Sequence, residues 1–318
     1  MADVGFGRLG YGAANVGNLY RAITDEEARQ VLETAWDCGI RYFDTAPHYG
    51  LGLSERRLGA FLATKPREEF TISTKVGRLL RPRPDGAGRL DDENDFAVPA
   101  DHERAWDFTA DGVRRSLEES LDRLGLDSVD IVYLHDPERF DLRRGVDEGL
   151  PALAKLREEG LVRAVGVGSM STDALLATVR SGVLDLLMVA GRFTLADQSA
   201  ADEVLPECDA QGVGIVGAAV FNSGLLASVS PSADSRFDYA PVPADLLSRV
   251  RRIADVCGEY GVPLPAAALQ YPLQHPAVRS VVVGGASPDQ VRQNAQNLVV
   301  DVPAELWWRL RDDGLVAL

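Results

Sequence analysis

Cysteine is scarce in this chain: three residues in 318. Cys38, Cys208 and Cys257 share no metal-ligand spacing and include no C-x-x-C pair, and each falls near the end of an expected helix. That excludes a disulfide framework and points to reduced structural thiols in a reducing compartment. Positive charge is also in short supply, with 33 Lys and Arg against 48 Asp and Glu, a net charge of -15. An acidic surface of this kind argues against nucleic-acid or anionic-membrane partners. No segment reaches the length of a membrane span, and the first residues carry neither a basic nor an apolar leader region. The expectation is a cytoplasmic protein. The basic run from Arg78 to Arg83 is followed at once by Asp85, Asp91, Asp92 and Glu93, so it reads as a solvated loop rather than an anion site. Finally, no G-x-G-x-x-G follows the first strand with an acidic residue about 20 residues on, which argues against a doubly wound dinucleotide fold.

What is present is alternation. Hydrophobic residues make up 46% of the chain, enough for a large core. Leu9 to Ala14 reads as a strand end entering a glycine loop. Thr24 and Glu27 form a capping box for a helix whose apolar positions are Ala28, Val31, Leu32, Ala35 and Trp36. Gly39 stops it, and a short strand ends on Asp44. Ser54 is expected to cap the helix Glu55 to Ala63. The strand Phe70 to Thr74 delivers Lys75. A Pro-, Gly- and Asp-rich stretch, Gly77 to Asp107, reads as an irregular, partly ordered lid carrying Phe96 and Trp106, with Phe108 at its end. Beyond it come the helix Thr109 to Leu124 and a strand ending on His135.

The pattern then repeats. Helix 149–159 is followed by strand 162–167, helix 171–180 by strand 185–190, and helix 198–211 by strand 213–219. A second long loop runs from about Ser228 to Pro243. Helices 244–260 and 265–274, strand 278–283, a helix running to Asn297 and a closing helix 303–313 complete the chain. About eight strands, apolar through their length and each followed by a helix, predict a single (β/α)8 TIM barrel over 1–318 with long loops at its C-terminal rim. Asp44, Lys75 and His135 then stand on one rim, with Tyr49 on the loop after the second strand. A carboxylate, a phenol, an ammonium and an imidazole gathered at strand ends suit proton transfer.

These four residues carry a resemblance. Phe-Asp-Thr-Ala-Pro-His-Tyr-Gly, Ser-Thr-Lys-Val-Gly and Tyr-Leu-His-Asp resemble the Asp/Tyr/Lys/His motif contexts of the aldo-keto reductases. The likeness extends through Gly-Leu-Ser-Glu-Arg-Arg-Leu-Gly, Val-Gly-Val-Gly-Ser and Gly-Ala-Ser…Asn294, nearly the whole chain. It implies a nicotinamide dinucleotide along the barrel mouth and Tyr49 as the acid or base beside the hydride. A phenol titrates near 10, and a cationic Lys75 held by Asp44 is expected to lower that value. His135 orients the substrate oxygen.

The resemblance also marks departures. A Lys and an Arg that commonly recognise the 2′-phosphate of NADP correspond here to Gly284 and Gln290, so NAD is the expected cofactor, with NADP possible. Ser169 keeps part of the carboxamide-holding role. Ala190 stands where a glutamine is usual, and Ala218 where an aromatic usually stacks on the nicotinamide. Phe221 substitutes for that aromatic only if the backbone shifts. Gly224, Gly285, Ser287 and Asn294 complete the expected cofactor contacts. The same departures, with the lid that ends in Trp106-Asp-Phe, are similar to the bacterial branch of aldose 1-dehydrogenases of the D-threo-aldose (L-fucose) type and of pyridoxal 4-dehydrogenases. That implies NAD-dependent oxidation of a cyclic hemiacetal, an aldose at C1, to the lactone. Pyridoxal oxidation, with His48 and Trp106 as substrate contacts, general carbonyl reduction, and a non-catalytic dinucleotide sensor are the alternatives. The expected partner is a small molecule; no metal is expected, and oligomeric state is left open.

Overall fold

A computed structural model describes residues 4, 5, 7–86 and 88–317. Residues 1–3, 6, 87 and 318 lie outside it, and with them the ends of the expected 1–318 span. Eight parallel strands close into a barrel in sequence order. They are β1 (Leu9–Gly12), β2 (Tyr42–Asp44), β3 (Thr71–Val76), β4 (Ile131–His135), β5 (Ala164–Ser169), β6 (Leu186–Ala190), β7 (Gly214–Ala218) and β8 (Val278–Val283). β8 pairs back onto β1, Leu9 opposite Val281. The barrel expected from the alternation is therefore the architecture observed.

Strand side chains alternate between the inside of the barrel and the helices. On β4, Val132 and Leu134 belong to the outer core against the helices, while Ile131 and Tyr133 belong to the interior cluster with Tyr42, Leu186, Met188 and Val216. The same period carries His135 onto the inward face at the strand's end. Likewise Tyr42 leads to Asp44, Ser73 to Lys75, Met188 to Ala190 and Val216 to Ala218. One rim thus receives a carboxylate, an ammonium and an imidazole from β2, β3 and β4, and alanines from β6 and β7.

The helices follow their sequence signals with small differences. Thr24 accepts from the Glu27 N–H and Glu27 reaches back, closing the capping box. Ser54 does not cap its helix. Leu53–Leu62 starts after Gly52 in a left-handed conformation, and Ser54 is buried, donating to the Ala13 carbonyl at 2.8 Å and bonded to Thr45. Its hydroxyl fastens the β1 and β2 loops together instead. The helix after β6 is shorter than expected, Val204–Gln211.

The largest correction concerns 77–107, expected to be irregular. Arg78–Pro82 and His102–Trp106 form an antiparallel pair, and Leu90–Asp91 pairs with Phe96–Pro99. Its Pro, Gly and Asp residues mark the turns; Leu79, Phe96 and Val98 between them are buried. Arg78 is not solvated either. It is buried, ion-paired to Asp136, and lies over the Trp106 ring at 4.3 Å. No helix among the described residues is long and apolar enough to cross a membrane.

Candidate active site

The barrel mouth holds a cavity of about 480 Å³, lined among others by Asp44, Tyr49, Lys75 and His135. Asp44 and Lys75 stand on adjacent strands, with Asp44 opposite Ser73 in the ladder. That register sets Lys75 Nζ 2.5 Å from Asp44 Oδ2 and 3.0 Å from the Thr45 carbonyl. Ser73 donates to the other Asp44 oxygen at 2.7 Å. Below it, the Tyr42 hydroxyl meets Ser73 Oγ at 3.0 Å and the Tyr133 hydroxyl at 3.4 Å. This polar column continues the ion pair into the barrel and gives the buried carboxylate both partners it needs. Burial pushes the Tyr42 and Tyr133 phenols far up, so they stay protonated and available as donors. Sequence reasoning missed the column; its only signal was the period-2 match of Tyr42, Ser73 and Tyr133 with the rim residues.

Tyr49 sits above Lys75, whose Nζ is 4.7 Å from the ring centroid, close enough for its charge to favour the phenolate. His135 stands edge-on to Tyr49, rings 6.1 Å apart at 89°. The structure therefore brings together all four residues that the motif joined. Their titration differs from the expectation in one respect. Burial raises the Tyr49 phenol above its ordinary value, and Lys75 offsets this only in part. For Lys75 burial works the other way, but Asp44 and then Tyr49 outweigh it, and the ammonium is held above its usual range. His135 is driven well below the usual histidine range by burial, then by Arg78 and Lys75. His48 is driven down similarly, by burial and then Arg78 and Arg104. The site at rest is a protonated phenol, a charged lysine and two neutral imidazoles.

The expected contacts are dispersed. His48, Ser169 and Gly284 line the cavity. Ser169 donates to Glu138 Oε1 at 2.7 Å, while Glu138 Oε2 is buried with no partner. Trp106 does not line it; the ring stacks on Phe140 and holds Arg78. Phe221 packs against the outer core instead, and Gly224 adopts φ 93 in the turn beyond it. Along the start of helix Pro288–Val299, Gly285 accepts from the Tyr11 hydroxyl, Ser287 caps the helix, Gln290 accepts from the Ala286 N–H at 2.7 Å, and Asn294 donates to the Gly284 carbonyl. Arg21, unremarked in the sequence, reaches this loop and donates to the Ala286 carbonyl at 2.8 Å. Phe96, Asp136, Arg139 and Tyr239 also line the mouth; nothing but the aromatic character of Phe96 pointed there.

The rim positions from β5 to β8 are Gly168, Ala190, Ala218 and Gly284, on a wall that also carries Ser169, Met170, Met188 and Val282. These small rim residues leave room for a flat group beside Ser169. The residues present thus fit a nicotinamide. No cluster of three or more His, Cys, Asp or Glu able to hold a metal occurs among the described residues.

Comparison with known proteins now gives the family. The aldo/keto reductase family model matches residues 8–312, and the chain belongs to that family, oxidoreductases acting on CH–OH groups with nicotinamide cofactors. It is 59% identical to a D-threo-aldose 1-dehydrogenase of Pseudomonas sp over 97% of this chain and 94% of that one. It is 39% identical to a pyridoxal 4-dehydrogenase of Microbacterium luteolum over the same shares. Among solved structures, a glycerol dehydrogenase from Gluconobacter oxydans superposes with a TM-score of 0.77, covering 98% of this chain and 92% of that one at 22% identity, a likeness of fold.

Proposed function

We propose that this aldo/keto reductase oxidises an aldopyranose at its anomeric carbon to the lactone, with NAD as hydride acceptor. The observation that carries the reading is the Tyr49–Lys75–Asp44 cluster beside His135 in a cavity of mixed polar and apolar lining, in a chain so similar to an aldose 1-dehydrogenase. Bound against Gly168, Ser169, Ala190, Ala218 and Gly284, the nicotinamide supplies the site for hydride.

The chain's own residues do the rest. Neutral His135 donates one N–H to the anomeric oxygen and fixes its direction. Tyr49 takes the hydroxyl proton as the C1–H bond gives up its hydride and the C1–O bond becomes a carbonyl. Lys75, locked by Asp44, stabilises the phenolate while the proton is on its way. Because burial raises the Tyr49 pKa, deprotonation at rest is rare near neutrality, and alkaline conditions favour oxidation. The reverse, reduction of a carbonyl, starts from the protonated phenol the site already holds.

The preference for NAD rests on Gly284 and Gln290. Neither carries a charge for a 2′-phosphate, Gln290 is engaged with Ala286, and Arg292 is paired with Asp289. The test is formation of reduced cofactor from L-fucose, D-arabinose, L-galactose and pyridoxal, with NAD and NADP in parallel. Turnover of aldoses with NAD supports the reading. Turnover of pyridoxal alone overturns the substrate, and higher kcat/KM with NADP overturns the cofactor.

A further inference from the structure

Charges around the reacting centre are paired within the protein: Lys75 with Asp44, Arg78 with Asp136, Arg104 with Asp91. Three charged side chains that line the same cavity are not. Glu93 and Asp95, on the turn joining Leu90–Asp91 to Phe96–Pro99, and Arg139, four residues beyond His135, form no ion pair among the described residues. In the same cavity the buried Nδ1 of His48 has no hydrogen-bond partner. The three charged groups stand exposed at the mouth, open to a ligand entering the cavity.

Their placement is fixed. The turn is held from one side by the β1 loop: Tyr20 donates to the Asp95 carbonyl at 2.7 Å, and Ala97 to the Asn18 carbonyl at 3.0 Å. From the other side Arg104 grips Asp91 with both terminal nitrogens and donates to the His48 carbonyl at 2.9 Å. Arg104 thereby ties the turn to the residue next to Tyr49. Asn94 does not compete for ligand, since its amide donates to Asp91. Phe96, immediately after Asp95, sets its ring edge-on to His48 at 5.5 Å and gives the same turn an apolar face.

We propose that Glu93, Asp95 and Arg139 read the hydroxyl groups of the substrate away from the reacting carbon, and so select a polyhydroxylated ring over a flat heteroaromatic one. Carboxylates accept from sugar hydroxyls and a guanidinium donates to them, whereas an aromatic ring with few hydroxyls leaves these groups unserved. The proposal deepens the aldose reading and rests on it. Glu93 and Asp95 are specificity-determining residues, Arg139 adds a donor to the same cavity, and Arg104 is the positioning residue that sets the turn's distance from Tyr49.

The test uses the full chain with Glu93→Gln, Asp95→Asn and Arg139→Met. Asparagine suits position 95, where φ is 61. Each variant is expected to raise KM for an aldose about tenfold with kcat changed less than about threefold, the signature of lost binding shared by ground and transition states. Deoxy analogues of the aldose supply a second measurement. A substrate lacking the hydroxyl that one residue reads loses affinity in the wild type and loses little more in the matching variant. Unchanged KM in all three variants, with the wild type turning over aldoses, overturns this inference alone. A wild type inactive on every aldose overturns the proposed function and this inference together. A fall in kcat on all substrates equally, with KM constant, also overturns it, because that is a defect of the reacting centre.

Discussion

The two halves of the barrel rim are built on different plans. From β2 to β4 every rim position is polar and engaged: Asp44 with Lys75 and Ser73, Lys75 with Thr45, His135 edge-on to Tyr49. From β5 to β8 the corresponding positions are Gly168, Ala190, Ala218 and Gly284, which contribute little but space. One half holds charges rigidly where the proposed reaction moves a proton. The other is open, where the proposed nicotinamide would lie. Preorganised polar groups act strongly in a water-poor site, and small residues leave a cleft open.

The largest effect is expected from the engaged half. Tyr49→Phe removes the hydroxyl proposed to carry the substrate proton while leaving the ring in contact with Phe96 and Lys75. Loss of a general acid–base costs on the order of 10²–10⁴ in rate, so kcat should fall by about a thousandfold, with cofactor affinity measured by fluorescence titration nearly constant. Turnover within tenfold of wild type would move the proton-carrying role elsewhere and dissolve the contrast between the halves.

Filling the empty half should cost less and in a different parameter. Ala190→Trp puts a bulky ring where the wall is small. Overpacking costs typically 1–3 kcal/mol, about tenfold to a hundredfold in affinity. KM for the cofactor should rise by that factor, and the melting temperature of the ligand-free protein should change little because the ring enters a cavity. If cofactor binding is indifferent to the Ala190→Trp change, the β5–β8 wall is not where the dinucleotide lies.

How much of this contrast was legible in the sequence depends on which half is considered. Asp44 and His135 close their strands and Lys75 stands one residue short of the end of β3, so the alternation alone marked them, and the Tyr49 context supplied the fourth. The emptied half was visible only as departures at 190, 218 and 284, since absence of a side chain leaves no pattern. Trp106 was placed at the substrate on its aromatic character; it instead anchors Arg78, because a buried guanidinium needs a face to lie on as well as a carboxylate. The turn carrying Glu93 and Asp95 was hidden in a segment read as irregular, where short strands lack the length that periodicity needs. Arg21 and Ala286 are 265 residues apart, and no local signal joins them.

Acidification should distinguish the halves without mutation. His135 and His48, both on the engaged side, have folded pKa values well below the unfolded value of about 6.5. Between those two values the unfolded chain binds more protons than the folded one, so stability rises with pH there and is lost as pH falls below about 6.5. The slope is about 1.4 kcal/mol per pH unit for each such histidine. Urea midpoints at pH 5 and 7 measure it. Replacing His135 by Gln should flatten the dependence in part. The kcat/KM profile for oxidation should show no inflection near pH 6.5 and should climb toward alkaline pH, following the raised Tyr49 phenol. A histidine limb near neutrality would mean that His135 is charged at rest, with Arg78 and Lys75 exerting less force than their placement implies.

The smallest effect lies at the far edge of the empty half, where the adenosine end of the cofactor is expected. Gln290 uses its side-chain acceptor on Ala286, one turn from the Ser287 cap. Gln290→Arg gives up that bond, at about 0.5–1 kcal/mol of stability by analogy with other lost caps, and supplies a guanidinium for a phosphate. Exposed charge-assisted contacts are worth about 1 kcal/mol, so kcat/KM with NADP should rise by roughly fivefold while kcat/KM with NAD stays within twofold. Arg21, already seated on the Ala286 carbonyl, offers a control. If it supports what NADP use the wild type has, Arg21→Ala should lower that use and leave NAD turnover alone. A gain from Gln290→Arg that persists without Arg21 would place the phosphate on the helix; a gain that requires both guanidinium groups would place it between the helix and the β1 loop. No gain in either background would show that the adenosine end does not cross this helix start, and that the emptied half of the rim ends before Gln290.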